Sequence, residues 1–139
     1  MTVFGKNVAP SDISKDMLFK LYHDAQLEPY YDADGDLVIR DHYRAWVYPA
    51  PDGRDIRLAS YFVIGPFASQ EDKYAYSNLV NDEVKLIRAY VRKNGGIGFD
   101  YYISVEGGIS REAIVQATRR YYSCLEYAIK QDRNDVIGS

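Results

Sequence analysis

A glycine-containing turn between two alternating segments is the feature that most constrains the fold of this chain. The turn, Lys93-Asn94-Gly95-Gly96, separates Arg88–Arg92 from Phe99–Val105, and polar and apolar residues alternate in both segments. Such alternation on either side of a short turn is typical of an antiparallel hairpin. A long helix ending at Gly95 would also fit, because an apolar stripe precedes the turn. The stripe consists of Tyr76, Val80, Val84, Ile87 and Val91. The pattern alone leaves both structures open.

The rest of the sequence predicts two flanking helices, a middle helix and three strands. A first helix is expected from about Ser14 to Gln26, and Pro29 discourages its continuation. Ser69 is expected to cap the second helix, and Ser110 caps a last helix from about Arg111 to Gln131. The strands are predicted at Leu37–Arg40, Arg44–Tyr48 and Ile56–Ile64, with a tight joint at Pro49–Gly53. The tail from Asp132 to Ser139 is polar and short, so disorder is expected at its end.

The chain resembles the YbjN family, a group of bacterial proteins described as putative sensory transduction regulators. Four matches carry the resemblance and occur in the family's order. They are the paired Asn78 and Asn81, the strand Arg88-Ala89-Tyr90, the strand Asp100–Val105, and Gly107-Gly108-Ile109-Ser110 before the last helix. A weaker match is the acidic turn Asp32–Leu37, so the resemblance spans roughly residues 12 to 130. It implies a fold similar to that of type III secretion chaperones, and it favours the hairpin over the long helix.

We therefore predict an α+β fold with the element order α-β-β-β-α-β-β-α. An antiparallel sheet of about five strands is expected, with the helices packed on one side. A single domain is expected over residues 1–139, with its core at about 12–131 and a short polar C-terminal tail. Asn78 and Asn81 are interpreted as side chains that satisfy loop backbone where helix gives way to strand, with a binding role as the alternative. Gly107 and Gly108 are interpreted as a sharp turn between strand and helix.

Composition limits the classes of function that remain. Hydrophobic residues make up 47% of the chain and charged residues 27%, which is ordinary for a globular protein. The formal net charge of -3 disfavours nonspecific binding to nucleic acid. No signal peptide or membrane-spanning run is recognised, and Cys124 is the only cysteine, so a cytoplasmic location is expected.

No set of residues predicts catalysis, a metal site or a cofactor. Asp32, Asp34 and Asp36 suggest calcium at first, but the glycine is fourth rather than sixth and the twelfth residue is Tyr43. Cys124 is expected to be buried on the apolar stripe of the last helix, where a thiol is inert. The two histidines, His23 and His42, offer too few ligands for zinc. At Gly107-Gly108, Glu106 would repel a phosphate. We predict that the protein is not an enzyme.

An excess of tyrosine is the only feature that indicates a function. The chain has 14 tyrosines, and Trp46 lies near Tyr43 and Tyr48. This number exceeds what one small core can bury with every hydroxyl paired, and Tyr and Trp are enriched at protein interfaces. Amphipathic edges of an ordinary core are the alternative explanation. We predict a protein-binding or regulatory module that forms a homodimer and presents Trp46, Tyr48 and Tyr61 to itself or to a protein partner. A small-molecule or peptide sensor, with a pocket between sheet and helices, is the alternative function.

Overall fold

The structure is a computed structural model that describes residues 7–64, 68–133 and 135–137. Three α-helices are present, α1 (Lys15–Asp24), α2 (Gln70–Glu83) and α3 (Arg111–Lys130), and a short 3₁₀ turn lies at Pro10–Asp12. The strands are β1 (Asn7–Val8), β2 (Tyr30–Tyr31), β3 (Leu37–Arg40), β4 (Arg44–Pro49), β5 (Asp55–Phe62), β6 (Arg88–Val91), β7 (Ile97–Ser104) and β8 (Ile109–Ser110).

Six strands form one antiparallel sheet in the order β2-β3-β4-β5-β7-β6, and β1 pairs with β8 separately. This architecture confirms the predicted α+β class and the order of the main elements. The sheet has six strands rather than about five because Tyr30 and Tyr31 pair with Val38 and Leu37. The sequence did not predict β1, β2 or β8. Each has only two residues, which is too short for alternation to be recognised.

The hairpin predicted at the glycine turn is confirmed, and the long helix is excluded. Strands β6 and β7 pair antiparallel, with Arg88 opposite Asp100 and Val91 opposite Ile97. The N–H of Val84 donates to the carbonyl of Val80 at the end of α2. Leu86 then has a φ of 71°, which no helical residue adopts, so the chain leaves the helix before β6.

The described residues divide into two compact units. The first contains residues 7–58 and 102–120. Helix α1 begins after Ser14, whose hydroxyl oxygen accepts the N–H of Met17. Apolar residues of α1, β3, β4, β5 and α3 are buried in this unit, among them Leu18, Leu37, Ile39, Val47, Ile56, Leu58 and Ile114. The Tyr22 hydroxyl lies 2.9 Å from the Thr118 hydroxyl, and both side chains are fully buried.

The second unit contains residues 59–64, 68–101, 121–133 and 135–137. Helix α2 begins at a capping box formed by Ser69 and Asp72, as its sequence predicts. Residues of α2, β6, β7 and α3 form the core, among them Tyr76, Val80, Ile87, Ile97, Phe99, Tyr121 and Leu125. The Tyr121 hydroxyl donates to the Ser60 hydroxyl over 2.7 Å, and the Tyr76 hydroxyl donates to the carbonyl of Ala128 over 2.7 Å.

One expectation about the C-terminal part of the chain, the full burial of Cys124, was wrong, and the expected disorder at the chain end falls on residues 138 and 139, outside the described residues. The described part of the tail folds back, because the Asp132 carboxylate accepts the N–H groups of Val136 and Ile137 at 2.8 Å each. Both apolar side chains are buried. Cys124 is half-buried rather than fully buried on α3. Within the described residues, none of the helices is both long enough and apolar enough to cross a bilayer.

Candidate functional site

Trp46 and Tyr48, two of the three aromatic residues predicted to contact a partner, lie on one face of β4. They are two positions apart, and alternate side chains of a strand point to the same face. The indole N–H of Trp46 donates to Asp32 Oδ2 over 3.0 Å. The guanidinium carbon of Arg57 lies 5.6 Å from the centre of the Tyr48 ring. Both aromatic side chains are half-buried. The first unit therefore holds two partly exposed rings in defined positions.

The acidic turn before β3 serves to position Trp46. One oxygen from each of Asp32, Asp34 and Asp36 lies within 4.8 Å of the others. Asp32 Oδ1 accepts the backbone N–H groups of Asp34 and Asp36, at 3.0 and 2.9 Å, and Asp32 Oδ2 accepts the Trp46 indole. The hydrogen bond from Trp46, followed by those from the backbone, lowers the pKa of the Asp32 carboxyl below its usual range. These hydrogen bonds explain why the three carboxylates cluster at the turn, and the geometry gives no further reason to place a cation there.

Tyr61, the third predicted contact residue, lies at the end of β5 in the second unit. Its ring is half-buried, and the guanidinium carbon of Arg92 lies 4.1 Å from the ring centre. At this distance a cation–π interaction holds the two side chains together. The Tyr61 ring is therefore already in contact with an arginine side chain.

A third arginine–tyrosine pair lies on strands β6 and β7. The fully buried carboxylate of Asp100 accepts two hydrogen bonds from Arg88, at 3.0 and 2.7 Å. The Arg88 guanidinium also lies 5.1 Å from the centre of the Tyr90 ring. A Cβ atom at Gly98 would lie 2.5 Å from the Tyr90 ring, so only glycine lets this ring lie on the strand. These contacts fix both the arginine and the tyrosine.

The sequence prediction missed the arginines of these surfaces. Arg57, Arg88 and Arg92 each lie against a tyrosine ring. The alternation of Arg88, Tyr90 and Arg92 along β6 was available as a signal, because alternate residues of a strand share a face. The alternation was used as evidence for a strand and the arginines were interpreted as a solvated face, so neither was connected with the tyrosine rings.

A cleft of about 310 Å³ lies in the second unit, where the end of β5 meets the turn between β6 and β7. Its lining residues are Tyr61, Phe62, Val63, Ile64, Lys73, Arg92, Asn94, Gly95 and Gly96. A Cβ at Gly96 would lie 2.9 Å from the carbonyl oxygen of Phe62, and one at Gly95 would lie 3.3 Å from Lys73 Nζ. Because neither glycine has a side chain, strand β5 and the Lys73 ammonium group can approach the turn closely. Among the described residues, the lining contains two cations and no carboxylate.

The residues of the family motif take part in turns and joints. The Asn81 side chain accepts the N–H of Ala89 over 2.8 Å and donates to its carbonyl over 3.0 Å. Asn78 lies exposed on α2. Gly107 and Gly108 have φ values of 79° and 93°, and the N–H of Gly108 donates to the carbonyl of Val105. Asn81 thus joins the end of α2 to β6.

Comparison with solved structures finds the same fold in two proteins of low sequence identity. YbjN from E. coli, described as a putative transcription regulator, matches with a TM-score of 0.73 and 14% identity, over 89% of this chain and 92% of that chain. The Yersinia pestis type III secretion chaperone SycH, crystallised in complex with a stable fragment of YscM2, matches with a TM-score of 0.54 and 14% identity. That match covers 84% of this chain and 98% of SycH. The search of curated proteins finds no significant match.

The family comparison covers most of the chain. The model of the YbjN family, described as putative bacterial sensory transduction regulator, matches residues 14–126. This range includes the paired asparagines, the hairpin and the double glycine from which the resemblance was inferred. The chain belongs to the YbjN family.

Proposed function

We propose that this protein is a non-catalytic binding module that forms a homodimer and binds a protein partner through Trp46, Tyr48 and Tyr61. The observation that carries the proposal is that each unit holds half-buried aromatic rings against arginine side chains on its strands. Tryptophan, tyrosine and arginine are the residues most enriched among those that dominate binding energy at protein interfaces.

The preorganisation of these side chains supports the same function. A side chain that is immobilised on binding loses conformational entropy, at about 0.5–1.5 kcal/mol for each flexible group. Trp46 is already oriented by its bond to Asp32, and Tyr48 and Tyr61 are already stacked against arginine. Much of this entropy is therefore lost during folding rather than at the interface. A partner with acidic side chains between apolar ones would complement such a surface.

The comparisons give the proposal its biological context. The family is described as regulatory, and SycH, which shares the fold, was crystallised with a fragment of another protein. Neither description names an enzymatic activity, which agrees with a binding role. We propose that the protein acts in the bacterial cytoplasm, where its single cysteine would stay reduced.

Light scattering on purified variants tests the homodimer. The wild type at micromolar concentration should have about twice the 15.9 kDa mass of the chain. Tyr48→Glu and Tyr61→Glu should each shift the mass toward the monomer, because a carboxylate would be desolvated in the interface. Tyr74→Glu and Tyr127→Glu are the matched controls, since these tyrosines are 57% and 52% exposed on helices. A monomeric wild type, or equal effects of all four changes, would contradict the proposed dimer.

Affinity purification tests the partner separately from the dimer. Tagged wild type, Tyr48→Glu and Tyr127→Glu would be recovered from the native cell, and bound proteins quantified by mass spectrometry. A true partner should be retained by wild type and Tyr127→Glu and lost with Tyr48→Glu, while circular dichroism shows that all three are folded. Equal recovery with all three would mean that Tyr48 is not in the interface.

A sensor of small molecules is the second candidate function, and the cleft in the second unit favours it. Its volume of about 310 Å³ falls at the lower end of the range for small-molecule sites, which is about 300–1,000 Å³. Its walls come from β5, helix α2 and the turn after β6, which resembles the expected pocket between sheet and helix. Saturating ligand would be expected to raise the melting temperature of the protein.

A further inference from the structure

We propose that the cleft between the end of β5, Lys73 and the glycine turn binds a small organic anion, one that carries a phosphate or carboxylate on an aromatic body. The inference rests on the second candidate function and does not depend on the homodimer or on the protein partner. The first argument is the charge of the walls. Lys73 and Arg92 both line the cleft, and none of the other lining residues is acidic.

The second argument is that neither cation pairs with a carboxylate among the residues that the structure describes. The Lys73 side chain forms no ion pair and no hydrogen bond within this part of the chain, although the residue is half-buried. Arg92 lies against the Tyr61 ring at 4.1 Å and pairs with no carboxylate of the described chain. A guanidinium that stacks through its face keeps the N–H groups of its edge for an anion. The two cations are thus available to a ligand.

The third argument is the way the turn brings Lys73 into position. Gly95 has a φ of 86°, and a Cβ at this residue would lie 3.3 Å from Lys73 Nζ. A side chain here would crowd the ammonium as well as strain the backbone. The Asn94 side chain accepts the N–H of Gly96 over 2.9 Å, which fixes the shape of the turn. Lys73 therefore reaches the same small space as Arg92 although 19 residues separate them in the sequence.

The apolar walls select the body of the ligand. Tyr61, Phe62 and Ile64 line the cleft together with the two cations. Phe62 is held edge-on against Phe99, with ring centres 5.6 Å apart, so this wall is fixed. A planar ring could lie against these side chains while its anionic group meets Lys73 and Arg92. Inorganic phosphate alone would leave the apolar wall uncovered and should bind more weakly.

Titration of the ¹⁵N-labelled wild-type protein with four probes tests the inference. The probes are phenyl phosphate, benzoate, inorganic phosphate and phenol, each added to millimolar concentration. Phenyl phosphate and benzoate should shift the amide signals of Asn94, Gly95 and Gly96, and at least one of the two should bind about tenfold more tightly than phenol or inorganic phosphate. Whichever of phenyl phosphate and benzoate binds more tightly shows whether phosphate or carboxylate is the preferred group.

Variants of two neighbouring charges then locate the site. Lys73→Met should weaken binding of the better probe about tenfold, since it removes a charged hydrogen-bond donor. Lys73→Arg, which keeps the charge, should restore most of it. Lys93→Met is the matched control, because Lys93 is an exposed lysine next to Arg92 that does not line the cleft. It should change affinity less than twofold.

Three outcomes would overturn the inference. They are the absence of shifts at the turn with both aromatic anions, equal affinity for phenol and phenyl phosphate, and equal losses with Lys73→Met and Lys93→Met. If phenol bound as tightly as phenyl phosphate, the cleft could still be a sensor site for neutral molecules, and only the proposed preference for an anion would be wrong. The masses measured by light scattering would be unaffected by any of these results, so the protein-binding proposal is tested separately.

Discussion

Each unit contains an ion pair between arginine and a carboxylate, but the two pairs differ in their exposure to solvent. In the first unit Arg54 Nε lies 3.2 Å from Glu106, and the side chains are 71% and 61% exposed. In the second unit Arg88 makes two hydrogen bonds to Asp100, whose side chain is 0% exposed. Water screens the first pair and reaches the second only from the arginine side. The buried pair of the second unit should therefore contribute to stability, whereas the exposed pair of the first unit should contribute little.

The largest expected effect comes from removing the arginine of each pair. Arg88→Met should lower the free energy of unfolding by about 3 kcal/mol, because it takes two charged hydrogen bonds from a buried carboxylate. Arg54→Met is the matched change at the exposed pair and should lower it by less than about 1 kcal/mol. Urea unfolding followed by circular dichroism measures both. Equal losses would mean that burial of Asp100 has no energetic consequence, and the contrast between the units would fail.

Buried tyrosines give the two units a shared sensitivity to alkali. Burial raises the pKa of Tyr22 in the first unit to about 12, and its hydrogen bond to Thr118 opposes the shift. Burial also raises the pKa of Tyr76 and Tyr121 in the second unit. An unfolded tyrosine loses its proton near pH 10. Between about pH 10 and 12 the folded chain therefore holds more protons than the unfolded chain, and its stability falls as pH rises.

Tyr22 should contribute about 3 kcal/mol to this loss of stability, because folding raises its pKa from about 10 to about 12. This stabilisation is fully present below pH 10 and lost as pH rises through the folded pKa. Tyr22→Phe should flatten the fall in stability between about pH 10 and 12. A double change, Tyr76→Phe with Tyr121→Phe, should flatten it more, because the second unit has two such groups. Unfolding by urea at several pH values measures the slopes. A wild type whose stability is constant up to pH 12 would contradict the burial of all three hydroxyls.

The joints between helix and strand differ as well. In the first unit backbone bonds hold the chain after α1, from Leu27 N–H to the Tyr22 carbonyl and from Arg40 N–H to the Leu27 carbonyl, and the Arg119 side chain donates to the Ala25 carbonyl. In the second unit one side chain, Asn81, bonds both backbone groups of Ala89. The joint of the second unit therefore relies on one side chain for two of its bonds.

Replacing the two asparagines of α2 tests that dependence. Asn81→Ala should lower the free energy of unfolding by about 2 kcal/mol, since two backbone groups lose their partner. Asn78→Ala is the matched control on the same helix, where the side chain is exposed, and should change stability by less than about 0.5 kcal/mol. Hydrogen exchange at Ala89 gives a local measure of the same effect. Protection of this amide that survives Asn81→Ala would assign the joint to other contacts.

The hairpin shows what the sequence could and could not determine. Tyr76, Val80, Val84 and Ile87 are all buried, so the apolar stripe that suggested a long helix is a true core stripe. It continues through the break because the chain passes from helix to strand while facing the same core. Periodicity cannot detect such a break, and the family resemblance resolved it. A leucine at positive φ, as at Leu86, gives no signal in the sequence.

The candidate site was predictable only in part, for a related reason. Trp46, Tyr48 and Tyr61 were proposed from composition and strand position, because these properties are local. The cleft requires Lys73 of α2 to meet a turn more than 15 residues away, and only the folded chain brings these residues together. The cations that stack on the tyrosines were likewise visible as residues but not as pairs.

The smallest expected effect concerns the strained residues at the two joints. Leu86 in the second unit and Gln26 in the first have φ values of 71° and 65°. The Leu86 turn is closed by a hydrogen bond from Ile87 N–H to the Lys85 carbonyl over 2.8 Å, and its side chain is 51% exposed. A non-glycine residue at positive φ costs about 1–3 kcal/mol in backbone strain, which glycine removes. Glycine also increases the conformational entropy of the unfolded chain, which lowers stability by about 0.4–1 kcal/mol.

Leu86→Gly should therefore raise the free energy of unfolding by up to about 1 kcal/mol, a rise of a few degrees in melting temperature. Gln26→Gly should give a smaller gain, because an unbranched polar side chain following a helix tolerates the left-handed region better than leucine in a three-residue turn. Thermal unfolding of both variants beside the wild type measures the difference. A loss of stability with Leu86→Gly would show that the exposed leucine makes a packing contribution larger than its strain. The joint of the second unit would then be held by Leu86 as well as by Asn81.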